Sequence, residues 1–263
     1  MITQKEYLIT LTTIEPFRIG AKEDPLSGAD NPVTRVGGRL CIPGPSLKGS
    51  YRANLERWLY DEFFDRKTNS WKSDKVKPCI PSTKLTRDED DLIKKKRFRG
   101  TACVYKVEKI DRRQQRDQFE PRDRSICPVC YLLGAQGLVG FISVPFLFSD
   151  MSYETLYSAS RERATNIVKE GTNRPYQLTA DNIKFAGVMK VLIKDDFIDW
   201  ELGKARPLNE IPNADAWISS ILGISAEWIL ENMIINRIKN ITKLGGYGSK
   251  GFGGVSIEIT EKK

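Results

Sequence analysis

Four of the five cysteines, Cys79, Cys103, Cys127 and Cys130, fall in or at the end of a stretch with almost no apolar periodicity. From about residue 64 to 126 the chain turns charged and reads as an insertion. A segment so poor in core material needs a staple to hold one shape. Cys127 and Cys130, in the run CPVC, have the spacing of a metal knuckle. Cys103 and Cys79 lie upstream at even intervals, with 23 residues in each gap. The chain has no histidine, so a metal site here must be all-sulfur, and four thiolates around zinc make a closed, structural site. Redox pairing within the C-x-x-C is the rival reading, though the context is not thioredoxin-like. Cys41 stands apart and reads as a buried apolar residue.

The same stretch carries the charge. The chain has 42 Lys and Arg against 34 Asp and Glu; 19 and 11 of these lie between Asp65 and Ser125, leaving 23 of each elsewhere. The basic excess therefore sits in one segment, which suits a polyanion, nucleic acid being the commonest; a merely solvated surface is the alternative. Absence of histidine also removes the usual general base near neutral pH. Ser–His and Cys–His nucleophile pairs are excluded, and acid–base chemistry falls to carboxylates, Lys, Tyr or Cys. No apolar run approaches the roughly 18 residues of a membrane span. The N-terminus has no signal-peptide pattern, so the expected location is cytoplasmic.

Around the insertion the pattern is that of a mixed fold. Tyr7 to Thr13 alternates like a half-buried strand. From Ser46, a candidate N-cap, Leu47, Tyr51, Leu55, Trp58 and Leu59 repeat on one helical face. Strand signals follow around Phe141 to Phe148, in GVMKVLIKD and in GVSIEIT. Residues 150 to 182 are polar and read as an excursion. Trp217 to Leu244 is amphipathic at helical spacing, with Gly245 placed as a C-cap. Without the insertions the order is strand, helix, strand, strand, helix, strand. This predicts an α+β, ferredoxin-like (RRM-like) core, an arrangement many RNA-binding proteins share. The expected division is a core of 1–63 and 127–263, a basic zinc-stapled insertion at 64–131, and the excursion at 150–182.

Two stretches suggest phosphate contacts. GYGSKG, Gly246 to Gly251, matches G-x-G-x-x-G, but a helix precedes it where the dinucleotide fingerprint needs a strand, and no helix follows. A glycine-rich turn can still bring its backbone close to a phosphate, with Tyr247 and Lys250 adding a stacking face and charge. A plain tight turn is the alternative. In IPGPSLKGSYR, Lys48 precedes Gly49, so the nucleotide-binding P-loop pattern fails. Lys48 and Arg52 lie one turn apart near a helix N-terminus, where anions are favoured; otherwise they are a solvated helix face. The loop after Arg18 holds Glu23, Asp24 and Asp30. Asp30-Asn31-Pro32 reads as turn chemistry, and Asp30 is also a candidate general base or metal ligand.

FRIG, DNPV, IPGPSLKGSYR and GGYGSKGFGGV, in that order, resemble the RAMP superfamily of CRISPR effector proteins. The likeness is to the backbone subunit that repeats along type III complexes. The zinc-stapled insertion resembles the zinc-finger-containing subtypes, III-D/E-like. The resemblance implies that the helix start with Ser46, Lys48, Gly49 and Arg52 grips guide crRNA. It implies that the turn with Gly246, Tyr247, Gly248, Lys250 and Gly251 lies against the same RNA, and that 150–182 is the family's thumb. The aspartate of target-cleaving members falls on Asp30. It would take the proton of the target's own 2′-hydroxyl, with a divalent metal such as magnesium. Expected partners are the guide, the target RNA, other effector subunits and further copies or homologues of the chain. The alternatives are an inactive guide-binding scaffold and a repeat-processing endoribonuclease, and absence of histidine argues against the latter.

Overall fold

The computed structural model describes residues 1–21, 32–82, 84–100, 102–105, 125–208, 211 and 213–262. It is a mixed α/β structure around a mostly antiparallel sheet. The strands are β1 (Ile2–Thr13), β2 (Arg35–Val36), β3 (Arg39–Ile42), β4 (Phe64–Asp65), β5 (Ser70–Trp71), β6 (Ile142–Ser143), β7 (Leu147–Ser149), β8 (Glu154–Ser158), β9 (Arg174–Leu178), β10 (Lys184–Asp195), β11 (Trp200–Glu201) and β12 (Val255–Glu261). The large sheet has the order β12-β1-β10-β7-β3-β2, with β6 and β11 also paired to β10. Among the described residues no helix is long and apolar enough to cross a membrane.

The chain divides into two compact units. One comprises Tyr7–Ser50, Val144–Met189 and Lys239–Lys263. Here β1 meets β12 from Tyr7↔Glu261 to Thr13↔Val255. The alternation of β1 buries Tyr7, Ile9, Leu11 and Thr13, and β12 answers with Val255, Ile257 and Ile259. That period of two turns one face of each strand into the core. β8 and β9 form a separate hairpin, Glu154↔Leu178 to Ser158↔Arg174, and every residue of β8 is exposed.

The other unit comprises Met1–Glu6, Tyr51–Ser143 and Lys190–Ile238. Its core takes Tyr51, Leu55 and Leu59 from α1 (Gly44–Phe63). Around them lie Tyr131, Leu132, Phe141, Trp217, Ile229, Met233 and Ile234, all buried. Tyr51 donates its hydroxyl to the Met233 carbonyl at 2.9 Å, which satisfies a buried polar group. Arg206 and Asp215 form an ion pair with no exposed side-chain surface. The carboxylate accepts from the Arg206 backbone N–H and from Nε and Nη2. The guanidinium lies over the rings of Tyr131, Trp200 and Phe141. The smaller helices α2 (Arg87–Lys94) and α3 (Pro128–Leu133) belong to this unit.

Two helix boundaries differ from the sequence reading. α1 starts at Gly44, not after a Ser46 cap: the Ser46 and Leu47 amides both donate to the Pro43 carbonyl, at 2.9 and 3.2 Å. Pro45 does not break the helix because a first-turn N–H has no intrahelical partner to lose. The second correction concerns Trp217 to Leu244. Gly223, at φ +76°, interrupts the run, and the helix begins at α4 (Ala226–Trp228). Ser225 caps it, accepting from the Trp228 amide at 3.1 Å. A π-helical segment, Ile229–Ile235, and then α5 (Asn236–Lys239) complete it. It ends before Gly245, which therefore is not its cap.

Candidate functional site

The four cysteines of the sequence pattern converge in the second unit. Their sulfurs lie within 4.8 Å of one another, and all four residues are buried. Cys79 and Cys130 are 3.4 Å apart and Cys79 and Cys127 are 3.7 Å apart. A disulfide needs about 2.05 Å, and the cysteines are free thiols. A tetrahedral ion about 2.3 Å from each sulfur sets S···S at roughly 3.8 Å. The donor set and spacing therefore fit a divalent metal such as zinc, and all four cysteines would hold it.

Local structure places each sulfur. Cys127 is the N-cap of α3, with Pro128 following, and its sulfur accepts from the Cys130 amide at 3.4 Å. The Cys127 amide donates to the Cys103 sulfur at 3.2 Å. Cys79 is tied through a parallel bridge to Arg99. Burial opposes ionisation of Cys127, but the contacts from Cys103, Cys130 and Cys79 outweigh it and hold this thiol well below the ordinary range. Contacts with Cys127, Cys130 and Cys79 push Cys103 well above it. One thiol of the group thus ionises at the expense of another, as sulfurs sharing protons do.

Two residues that the sequence reading did not connect with this cluster stand beside it. Arg52 directs Nη2 to the Cys130 sulfur at 3.7 Å and Nη1 to Glu56 Oε1 at 3.2 Å. Both side chains are only 15% exposed. Burial pushes Glu56 up to about 7, against the opposing pull of Arg52. Arg99 donates Nη1 to the Ser125 carbonyl and hydroxyl, both at 2.9 Å, and Nη2 to the Lys75 carbonyl at 2.6 Å.

The glycine-rich turn lies in the first unit. Its framework is backbone: the Gly246 amide donates to Arg18 O and the Gly253 amide to Pro16 O, both at 3.0 Å. The Gly254 amide donates to Glu15 Oε2 at 2.8 Å. Gly245, at φ +91°, sits so close that a Cβ would meet Arg18 O at 2.4 Å. Tyr247 itself adopts φ +62°. Its ring forms a trio with Tyr176 and Phe252, at 6.2 and 6.1 Å. Arg18 lies over it at 5.0 Å and Lys250 at 4.7 Å. Gly246, Gly248, Lys250 and Gly251 are exposed, and Tyr247 is half-buried. The segment FRIG and the late glycine run, remote in sequence, thus meet here.

On α1, Ser46 and Lys48 are half-buried and Gly49 is exposed, with open space where a Cβ would stand. The structure does not place Lys48 and Arg52 on one open anion-binding face, since Arg52 turns to Cys130 and Glu56. Asp30, with Glu23 and Asp24, lies outside the described residues. Cys41 is buried and lines a small apolar cavity with Phe17, Val33, Leu40 and Phe185.

No protein-family model matches the chain, and no curated protein matches its sequence.

Proposed function

We propose that the chain is an RNA-binding backbone subunit of the RAMP type, holding a guide crRNA and, through Asp30, cutting the paired target RNA. One observation carries the RNA-binding reading: the glycine-rich turn presents exposed amides beside a cation–aromatic group of Tyr247, Tyr176, Phe252, Arg18 and Lys250. Exposed glycine backbone lets a phosphate approach closely, and ring faces with cations suit single-stranded bases. The strand order β12-β1-β10-β7 supports a ferredoxin-like core, with the fourth and third core strands flanking the first. The exposed β8–β9 hairpin lies within the segment that the resemblance assigns to the thumb.

In this reading base pairing supplies sequence recognition and the protein holds the backbone. Lys48 and the turn at Gly246 to Gly251 grip the guide, and other effector subunits and further copies extend the assembly. For cleavage, Asp30 takes the proton of the target 2′-hydroxyl. That oxygen bonds to the adjacent phosphorus while the bond to the 5′-oxygen breaks, leaving a cyclic phosphate and a 5′-hydroxyl. A divalent ion such as magnesium would stabilise the developing charge.

The test is reconstitution with guide RNA. Tyr247→Ala combined with Lys250→Ala should weaken guide binding equally for unrelated sequences; unchanged affinity overturns the RNA-binding reading. In the assembled complex Asp30→Ala should lower target cleavage by about a hundredfold or more, within the range of losing an acid–base group. A 2′-deoxy sugar at the cut site should resist equally. Wild-type cleavage by Asp30→Ala would assign Asp30 to the turn, and absence of cleavage in the unaltered complex would leave the inactive scaffold.

A further inference from the structure

The cysteine centre poses a charge problem. Four thiolates around one divalent ion carry a net charge of about −2 in a site closed to water, and a buried charge persists only when compensated. The nearest cation to a sulfur that the geometry defines is Arg52, with Nη2 3.7 Å from Cys130 Sγ. The guanidinium is not a passing surface group: Glu56, one helical turn on, holds its other nitrogen at 3.2 Å, and both side chains are only 15% exposed. Planar guanidinium suits this double task, because its donors point in fixed directions to two acceptors at once. Arg99 supplies a second cation, fixed by Ser125 and Lys75 and acting on Cys127 through its charge.

We propose that Arg52 is a positioning residue of the metal centre, donating to the Cys130 thiolate and compensating the tetrathiolate charge, with Glu56 fixing its orientation. Ligand-orienting and ligand-neutralising groups outside the coordination sphere set metal affinity. This role is independent of RNA binding, and it withdraws Arg52 from the guide-gripping pair while leaving Lys48 in it.

The experiment is zinc competition on the full-length protein against a chromophoric chelator, together with the visible spectrum of the cobalt(II)-substituted form. Arg52→Met, which keeps length and loses charge, should weaken zinc binding by about 10- to 100-fold. The cobalt spectrum should keep its all-thiolate pattern, since no ligand is lost. Lys48→Ala should leave zinc affinity unchanged. Zinc affinity of Arg52→Met within about twofold of the unaltered protein overturns the proposal. So does a reduced salt slope of RNA binding in Arg52→Met with zinc affinity unmoved, which would return Arg52 to the phosphates. If Arg52→Met does not fold on its own, the zinc concentration at half-refolding, measured for Arg52→Gln, decides: an upward shift of about tenfold or more supports the role, and no shift overturns it.

Discussion

In the cysteine-bearing unit, four side chains from separated segments converge on one point, and the charged groups around them come from elsewhere again. In the other unit the glycine-rich turn is held by backbone, with the Gly246, Gly253 and Gly254 amides fastened to the stretch from Glu15 to Arg18. The first arrangement depends on what its side chains bind, the second on which backbone angles its residues can take. They should therefore fail in different ways. Losing a ligand should open the first, whereas adding a single methyl group should disturb the second.

The largest expected effect is metal loss. Structural zinc sites of this kind contribute about 10–16 kcal/mol of apparent binding energy at neutral pH. Chelation, or Cys127→Ser, should abolish cooperative unfolding of the cysteine-bearing unit, followed by near-UV circular dichroism with elemental analysis. About one zinc per chain is expected, and a metal-free protein with unchanged folding would end the comparison. Next comes Asp215→Ala, in the same unit but away from the sulfurs. It strands Arg206 without its buried partner and should cost about 3–5 kcal/mol in denaturant unfolding. This loss should be additive with metal removal if the two elements are independent.

For the turn, Gly245→Ala sharpens the contrast. A Cβ there meets the Arg18 carbonyl at 2.4 Å, at a φ of +91°. A cost at the upper end of about 1–3 kcal/mol is expected, with metal content unchanged. Tyr247→Ala should leave the thermal midpoint nearly unmoved yet weaken RNA binding by about 1–3 kcal/mol, the scale of one lost stacking contact. The smallest effect is Lys48→Ala, which should flatten the salt slope of guide binding by somewhat under one unit; an unchanged slope would make Lys48 a helix-face residue only.

Each site was partly legible in the sequence, for a different reason. The cysteines could be grouped because C-x-x-C is a local spacing and the stretch around them lacks other core material. Arg52 was legible only as a cation on a helix, since its partner Cys130 is distant in sequence and nothing local announces the approach. The i,i+4 relation of Arg52 to Glu56 was the one available signal. Similarly, Tyr247 and Lys250 stood out beside the glycines, whereas Glu15 and Tyr176 are brought to them by chain pairing. Strands β1, β10 and β12 followed from apolar patterning. The helix boundaries did not, because Pro45 looks like a breaker although it occupies a harmless first-turn position. Ile241 and Leu244, conversely, extend the helical spacing beyond Lys239 while being buried outside any helix.

The π-helical turn of Ile229–Ile235 has a consequence for how this chain tolerates changes in length. A wider turn accommodates a residue that an α-helix would exclude, so its neighbours keep their facing only while that residue stays. Deleting one position there would tighten the coil and swing everything after it by about 100°. Ile238 would leave the interior, and Arg237 would lose its place over Trp58, now 5.2 Å from the ring. Conservative substitutions across those seven positions should be absorbed far more readily than the loss of any one of them.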